Sequence, residues 1–405
     1  MTASPRLESN NIEYILDTAE LVLNSSRDRR AGSTGEVQAQ HIFMNELKKV
    51  CDETHEEQFR THPGAGTLAE KILCALLVIC VILFSDAVNT GSVAEGSIAL
   101  VLSLVVFCIF CYKFIFDGKK LDFITPTKES KNLLGIRYSR SEPLRRVVLV
   151  ARSDAPQSMR AHLFGNRSPF ILSLCALIGN TLLFCSGVLF LFSGAPEKTP
   201  FFSLLAIICI GFVPIYFVSA FLINTRKVSS GISSSIIPTG ILLSVFKQLH
   251  DNGFRYETTE ICCLIVGSDY SSRAGAYHFA KKHKRLYTDV PTVFIPIEEI
   301  TTSRKLSVFF KDGSGTSGSD KVASIIGEAA DNLKIDIKKE ASLLGSSSYT
   351  PFSKNDFAAC SLGTSKKHIS KTISANADKL QTVSRKAIAD TGALVIETLN
   401  YIDYY

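Results

Sequence analysis

The side chains that most often carry catalysis or hold metals are present in this sequence, but few stand at the spacings that such chemistry needs. The chain has eleven cysteines among 405 residues. Cys108 and Cys111 have CxxC spacing, but they lie inside an apolar run, and no second pair follows them as in a zinc site. Most other cysteines also lie in apolar runs. We therefore interpret the cysteines as small buried residues of a protein in a reducing compartment.

Serine-rich and glycine-rich segments raise the question of a nucleophile or a phosphate loop. Two serine runs, 229–235 and 346–348, lack the GxSxG pattern of a nucleophile elbow, so we interpret them as loops. Segment 314–319 (SGTSGS) has no GK[ST] after it and predicts a flexible turn. The histidines show no metal-ligand spacing, and we expect His278 and His283 at the surface of a helix.

Four long apolar runs interrupt the chain. They are residues 72–87, 97–116, 170–194 and 200–224, and they contain almost no charged residues. A helix needs about 20 apolar residues to cross the hydrocarbon core of a bilayer. Buried core helices of a soluble protein are the alternative, but a chain of this size could hardly enclose four such runs. The sequence therefore predicts four transmembrane helices, arranged as two hairpins.

Lys and Arg residues are concentrated at one end of each predicted span. The connector 89–96 has none, and the connector after the third run has only Lys198. The opposite ends carry Lys71, Lys113, Lys119, Lys120, Arg160, Arg167, Arg226 and Lys227. By the positive-inside rule, both termini and the loop 117–169 face the cytoplasm of a multi-pass cell-membrane protein. No apolar run precedes residue 70, so we expect no cleavable signal peptide.

Outside the apolar runs, helical and strand patterns alternate. Helical spacing marks segments 9–24, 37–51, 240–250, 271–286, 320–334 and 379–401, and strand patterns mark 131–138, 145–152, 260–267, 291–297, 305–310 and 356–362. Segment 260–267 is continuously apolar, which indicates a central strand covered on both faces. The turn SRSEPL predicts that strands 131–138 and 145–152 are neighbours. The alternation predicts an α/β fold with a mixed sheet.

We interpret the polar segments as one soluble domain that the two hairpins interrupt. Its parts are residues 1–70, 118–168 and 225–405, and the transmembrane hairpins are 71–117 and 169–224.

The order of the soluble elements resembles that of the M28 family of zinc peptidases. The matching pieces run through most of the soluble chain, and they are RDRRAGSTGEVQAQ, the strand ending in VARSDAP, LIVGSDYSSRAGAYHFAKKHK, FIPIEEI, GSSSYTPFSKNDFAACSLG and NADKLQTV. The resemblance implies an aminopeptidase-like α/β/α sandwich with a mixed sheet. It looks most like a membrane-embedded branch of the family, in which transmembrane hairpins interrupt the peptidase domain.

In that family, histidines and carboxylates hold two zinc ions, and a glutamate activates the bridging water. Carried over position by position, the resemblance places Arg152 where a ligand histidine is expected. Asp154 keeps the aspartate that supports this histidine. The bridging aspartate falls near Ser234, in a segment without any carboxylate.

The remaining family positions are altered too. Asp269 stands for the general base, Tyr270 and Glu298 for carboxylate ligands, and Lys371 for the last ligand histidine. Glutaminyl cyclases share this fold with one zinc, whose ligand positions are Ser234, Tyr270 and Lys371 here. An arginine cannot lose its proton to bind a metal, and a lysine brings a second cation. The resemblance therefore implies that the metal site is lost.

We predict a catalytically inactive pseudopeptidase without a metal cofactor, in which the cations of Arg152 and Lys371 neutralise the carboxylates. We name the former metal site the relic cleft; its residues are Arg152, Asp154, Ser234, Asp269, Tyr270, Glu298 and Lys371. The expected partners are the lipid bilayer and a peptide or membrane protein. The net charge of +6 comes largely from the span ends, and no aromatic-basic motif points to nucleic acid.

Two alternatives stay open. One is an active membrane-bound zinc aminopeptidase with atypical ligands. The other is a small transporter or channel subunit that the soluble domain regulates.

Overall fold

The computed structural model describes residues 2–116, 125–159, 168–221, 223–270, 272–302, 306–341, 347–365 and 378–404. The chain divides into two compact units. Unit 1 comprises Met1–Pro63, Thr127–Ser158 and Arg226–Tyr405, and unit 2 comprises Gly64–Pro126 and Met159–Thr225. Both stretches of unit 2 are thus bounded in sequence by parts of unit 1.

The strands form one large sheet and two small ones. Along the chain they are β1 (Glu53–Thr61), β2 (Lys128–Arg137), β3 (Arg145–Arg152), β4 (Gln157–Met159), β5 (Ile223–Val228), β6 (Thr259–Val266), β7 (Thr292–Pro296), β8 (Leu306–Lys311), β9 (Ile337–Ala341), β10 (Ala358–Ala359) and β11 (Ser361–Thr364). The large sheet has the order β1-β2-β6-β3-β7-β10, and the small sheets are β11-β8-β9 and β4-β5. In the large sheet, β6, β3, β7 and β10 run parallel, whereas β1 and β2 pair antiparallel with their neighbours.

The helices account for most of the remaining described chain. They are α1 (Ser9–Ser25), α2 (Thr34–Val50), α3 (Ala65–Thr90), α4 (Val93–Phe116), α5 (Ser168–Phe192), α6 (Pro200–Gly211), α7 (Val213–Phe221), α8 (Ile237–Asp251), α9 (Ala274–His283), α10 (Asp320–Asn332), α11 (Thr350–Ser353) and α12 (Arg385–Tyr404). A π-helical turn, Ile232–Ile236, leads directly into α8, and a 3₁₀ turn, Leu380–Thr382, precedes α12.

The central strands are apolar on both faces because each face meets a hydrophobic layer. On β3, Val147 and Leu149 point into a cluster that includes side chains of α1, α2, α8, α10 and α12. Val148 and Val150 alternate with them along the strand and point to the opposite face, into a cluster with side chains of α9 and α11. Burying each such side chain stabilises the fold by about 1.5–3 kcal/mol. The predictions of an α/β fold with a mixed sheet and of a doubly covered strand at 260–267 are confirmed.

The predicted adjacency of β2 and β3 is wrong. Strand β6 lies between them and pairs antiparallel with β2 and parallel with β3. All eight residues of β6 are buried, so its burial requires neighbours on both sides. A short polar turn between two strand patterns favours a hairpin locally, but the more apolar strand takes the central position.

Other local predictions also need correction. Segment 356–362, predicted as one strand, covers β10 and the first two residues of β11, and the strand predicted at 305–310 is β8 of the sheet β11-β8-β9. Strand β9 was not predicted because three of its five residues are charged and none of the five is fully buried. The surface position expected for His283 is wrong: this side chain is 6% exposed, its Nε2 lies 2.7 Å from Glu57 Oε1, and its ring stacks on Phe279.

Five helices in the described residues are long and apolar enough to cross a membrane, which indicates a membrane protein. Four of them, Leu68–Thr90, Val93–Tyr112, Ile171–Phe192 and Pro200–Phe221, belong to unit 2. Large apolar side chains on these helices face outward, such as Ile82 and Ile207, which are 61% and 64% exposed. The fifth, Ile232–Asp251, belongs to unit 1 and is 94% buried there.

Candidate functional site

Three of the residues singled out from the sequence meet where parallel strands of unit 1 end. Strands β3, β6 and β7 run in the same direction, so their carboxyl ends share one edge of the sheet, here called the carboxyl edge. Arg152 is the last residue of β3, Asp269 follows the end of β6, and Glu298 follows the end of β7. All three are buried, with exposed fractions of 7%, 2% and 3%.

The Arg152 guanidinium is the centre of this arrangement. Its Nε lies 3.6 Å from Asp269 Oδ2, and its Nη2 donates a hydrogen bond of 2.6 Å to Ser348 Oγ. Arg273 Nη1 donates to the same hydroxyl at 3.4 Å. The backbone N–H of Ser348 donates to Glu298 Oε1 at 2.9 Å. Ser348 therefore links the cation to the carboxylate at the end of β7.

The charge of Arg152 is maintained by the acidic groups around it. Burial alone would lower the pKa of this guanidinium, but nearby carboxylates raise it above its ordinary value. They are Glu299, Asp269, Glu298 and Asp154. Glu299, which the sequence reasoning did not assign, is itself only 8% exposed. The pair Glu298-Glu299 at a strand end was the signal that could have identified it.

The turn after β6 holds Asp269 in place. Ser268 and Arg273 both have positive φ, at 47° and 51°, which non-glycine residues rarely adopt. Such a conformation costs on the order of 1 kcal/mol or more and persists where surrounding contacts impose it. One contact comes from Asp154, whose Oδ2 accepts a 2.9 Å hydrogen bond from the backbone N–H of Tyr270. The carbonyl of Asp269 accepts another, from Arg273 N at 2.9 Å.

A buried glutamate that the sequence reasoning missed ties this turn to α2. Ser33 and Glu36 have capping-box spacing, and Ser33 Oγ accepts a hydrogen bond from Glu36 N. The Glu36 carboxylate accepts from the backbone N–H of Gly32 at 2.6 Å and of Ser268 at 2.6 Å. The pattern predicts the start of a helix, but it does not reveal that the same carboxylate reaches the carboxyl edge.

Ser234 lies apart from the polar contacts of Arg152. It belongs to the π-helical turn before α8, is 2% exposed, and its hydroxyl has no hydrogen-bond partner within the described residues. Asp378 stabilises the start of this turn by accepting hydrogen bonds from the N–H groups of Ile232 and Ser233. Lys371 lies outside the described residues.

Arg29 is a second deeply buried cation, and nothing in the RDRR motif distinguished it beforehand. It is 1% exposed and donates to the carbonyl oxygens of Ser26 and Ser230. Burial lowers its pKa to about 10, although the charges of Asp378 and Asp154 act in the opposite direction.

Acidic groups outnumber cations here, and the pKa values of two of the buried carboxyl groups are raised. Burial raises the pKa of Asp154 well above its ordinary value, and the negative charges of Glu36 and Asp269 raise it further. Burial also raises the pKa of Glu36, despite the hydrogen bonds that it accepts.

The side chains at the carboxyl edge do not fit a zinc ion. A zinc site needs three or four neutral imidazoles, thiolates or carboxylates that converge on one point. Among the described residues, no group of three or more His, Cys, Asp and Glu side chains has such an arrangement. The guanidinium of Arg152 occupies the space beside Asp269, and it would repel a metal cation there.

Comparison with known proteins identifies the fold. No protein-family model and no curated protein matches the chain. Among solved structures, it is similar to a glutaminyl cyclase from an Acidobacteriales bacterium, with 10% identity, a TM-score of 0.53, and coverage of 100% of this chain and 97% of that one. It is also similar to a zinc aminopeptidase from Bacillus subtilis, with 12% identity, a TM-score of 0.55, and coverage of 96% and 94%.

A Zn-dependent exopeptidase from Parabacteroides distasonis gives the same result, with 11% identity, a TM-score of 0.53, and coverage of 98% and 99%. The chain has an aminopeptidase-like fold. At these identities the likeness extends to the fold alone, and the part of the resemblance that concerns this fold is confirmed.

Replacing Asp154 with asparagine tests the protonation of the carboxyl edge. A carboxyl group whose pKa is raised in the folded state contributes stability at low pH, and this is lost as pH rises from the unfolded value, near 3.8, towards the folded value. We expect Asp154→Asn to flatten this decline by up to about 1.4 kcal/mol per pH unit. The dependence of stability on pH is measured by thermal unfolding between pH 5 and 8, with circular dichroism as the signal.

The exposed Asp17 on α1 provides a matched control, because its side chain is in contact with solvent. The substitution Asp17→Asn should leave the pH dependence unchanged. An Asp154→Asn variant that loses stability with pH as steeply as the wild type would contradict the raised pKa of Asp154.

Proposed function

We propose that this chain is a membrane-embedded relative of the M28 zinc peptidases that has lost its metal site and binds a peptide or protein partner through the relic cleft. The proposal includes an α/β/α sandwich interrupted by two transmembrane hairpins. The single observation that supports it most is the buried guanidinium of Arg152 at the end of β3, paired with Asp269.

Loss of catalysis follows from the chemistry of this cation. A hydrolytic zinc acts by coordinating a water molecule, lowering its pKa and polarising the substrate carbonyl. Arginine contributes positive charge and hydrogen bonds, but it has no vacant coordination position and keeps its proton. The described cleft residues therefore offer charge neutralisation without an activated water.

The solved relatives are a guide to the kind of ligand. Their names describe aminopeptidases, an exopeptidase and glutaminyl cyclases, which suits a cleft for peptide termini. Similarity of fold alone does not transfer activity. We propose that the carboxylates at the carboxyl edge, Asp269, Glu298 and Glu299, recognise a polar group of the partner. Without the metal, the cleft would bind a peptide or protein partner but would not hydrolyse it.

The membrane part of the proposal is a four-span protein with both termini in the cytoplasm. It is supported by the four apolar helices of unit 2 and by the scarcity of Lys and Arg in the connectors that follow the first and third helices. The fifth apolar helix is enclosed within unit 1, which favours a role as a core helix.

Metal content and activity of the full-length protein in detergent test the loss of the site. We expect far less than one zinc per chain by elemental analysis after exposure to zinc. We also expect no release of product from aminoacyl or amino-terminal glutaminyl substrates, since no water is activated. Asp269→Ala, Glu298→Ala and the surface control Asp17→Ala should not change either result.

Stoichiometric zinc that disappears in Asp269→Ala and Glu298→Ala, but not in Asp17→Ala, would overturn the proposal. Together with peptide hydrolysis, it would establish the alternative, an active zinc aminopeptidase with atypical ligands.

Epitope tags test the orientation. A tag inserted in the connector after α3, at Gly91, should react with antibody on intact cells, whereas a tag at the carboxyl terminus should react only after permeabilisation. We expect the connector 89–96 on the outer side because it contains no Lys or Arg, whereas cytoplasmic loops are enriched in both. Accessibility of both tags from the same side would contradict the four-span topology.

A further inference from the structure

A groove within unit 2 combines an apolar lining with one cation. It lies between helices α3 and α7 and has a volume of about 320 Å³, within the range of small-ligand sites, about 300–1,000 Å³. Small and apolar side chains line it, among them Ala75 and Val78 from α3 and Phe217 and Ala220 from α7. Among the described residues, Lys71 is the only charged one in this lining.

The position of Lys71 makes this groove unusual. It is the seventh residue of α3, near the start of the apolar stretch Leu68–Thr90, and is partly buried. Within the described part of the chain, its side chain has no hydrogen bond and no ion pair. At the end of a span, a lysine stem follows the apolar surface while its charge reaches the headgroup layer.

We propose that this groove binds one acyl chain of an anionic glycerophospholipid, with the lipid phosphate beside Lys71. The inference rests on the proposed placement of unit 2 in a bilayer, but it does not depend on the state of the relic cleft. An uncharged lipid would leave the ammonium without a counter-charge. An inorganic anion would leave the apolar lining without a ligand. Only an anionic amphiphile satisfies both parts of the groove.

Competition between two lipids that differ only in headgroup tests this site. The full-length protein in detergent is mixed with equal amounts of phosphatidylglycerol and phosphatidylcholine bearing the same chains, and retained lipid is counted by native mass spectrometry. We expect the wild type to retain phosphatidylglycerol preferentially. Lys71→Gln should reduce this preference roughly fivefold, and Lys71→Arg should keep it. Val78→Phe, which fills the groove, should reduce retention of both lipids.

The matched control is Lys198→Gln, since Lys198 is exposed, pairs with Glu197 at 3.3 Å and lies outside the groove. This variant should keep the wild-type preference. Equal retention of both lipids by the wild type, or an unchanged preference in Lys71→Gln, would overturn the proposal. If Val78→Phe does not fold, the comparison of Lys71→Gln with Lys71→Arg still tests whether the charge at this position sets the headgroup preference.

Failure of the membrane placement gives a different result. A protein released from membranes by alkaline washing without detergent would contradict the placement of unit 2 in a bilayer. An integral protein without headgroup preference would contradict the lipid site alone.

Discussion

A buried guanidinium must be neutralised where it lies, and the carboxyl edge of this protein is arranged around that requirement. Desolvation of an unpaired charge costs several kcal/mol, so Arg152 is tolerable only with carboxylates in place. Asp269 lies 3.6 Å away, and Glu298 is joined to the guanidinium through Ser348. The strained turn after β6 and its hydrogen bond to Asp154 keep Asp269 in position. Fold and site therefore depend on the same charge balance.

This balance is the physical basis of the proposed loss of the metal site from an aminopeptidase-like fold. A zinc ion in such a cleft offsets the repulsion among acidic side chains at the ends of parallel strands. A guanidinium fixed to β3 provides positive charge at the same edge, where burial raises the pKa values of Asp154 and Glu36. The proposed loss of catalysis is thus compatible with a stable fold, and the buried side chains at the carboxyl edge remain polar and charged.

The sequence predicts most of the fold because its signals are local. The apolar residues 147–151, the apolar run 260–267 and the long apolar helices each reflect burial of nearby residues. The order of the strands was not predicted. β2 and β3 are separated because β6 lies between them, and no local sequence pattern indicates the position of β6 in the sheet. Likewise, the ends of three strands could be expected to share an edge. Glu36 and Arg29 could not be assigned to this edge, because they belong to a helix and a loop that are distant in sequence from the strand ends.

A double-mutant cycle between Arg152 and Asp269 tests the central interaction most directly. The free energy of unfolding is measured by thermal melting of the wild type, Arg152→Met, Asp269→Asn and the double variant, followed by circular dichroism because the chain has no tryptophan. Each single change removes one member of this buried pair and should cost up to about 3–5 kcal/mol. The loss of unfolding free energy in the double variant should be smaller than the sum of the losses in the two single variants, by at least about 1 kcal/mol. Additive effects, within about 0.5 kcal/mol, would contradict the neutralisation of Arg152 by Asp269.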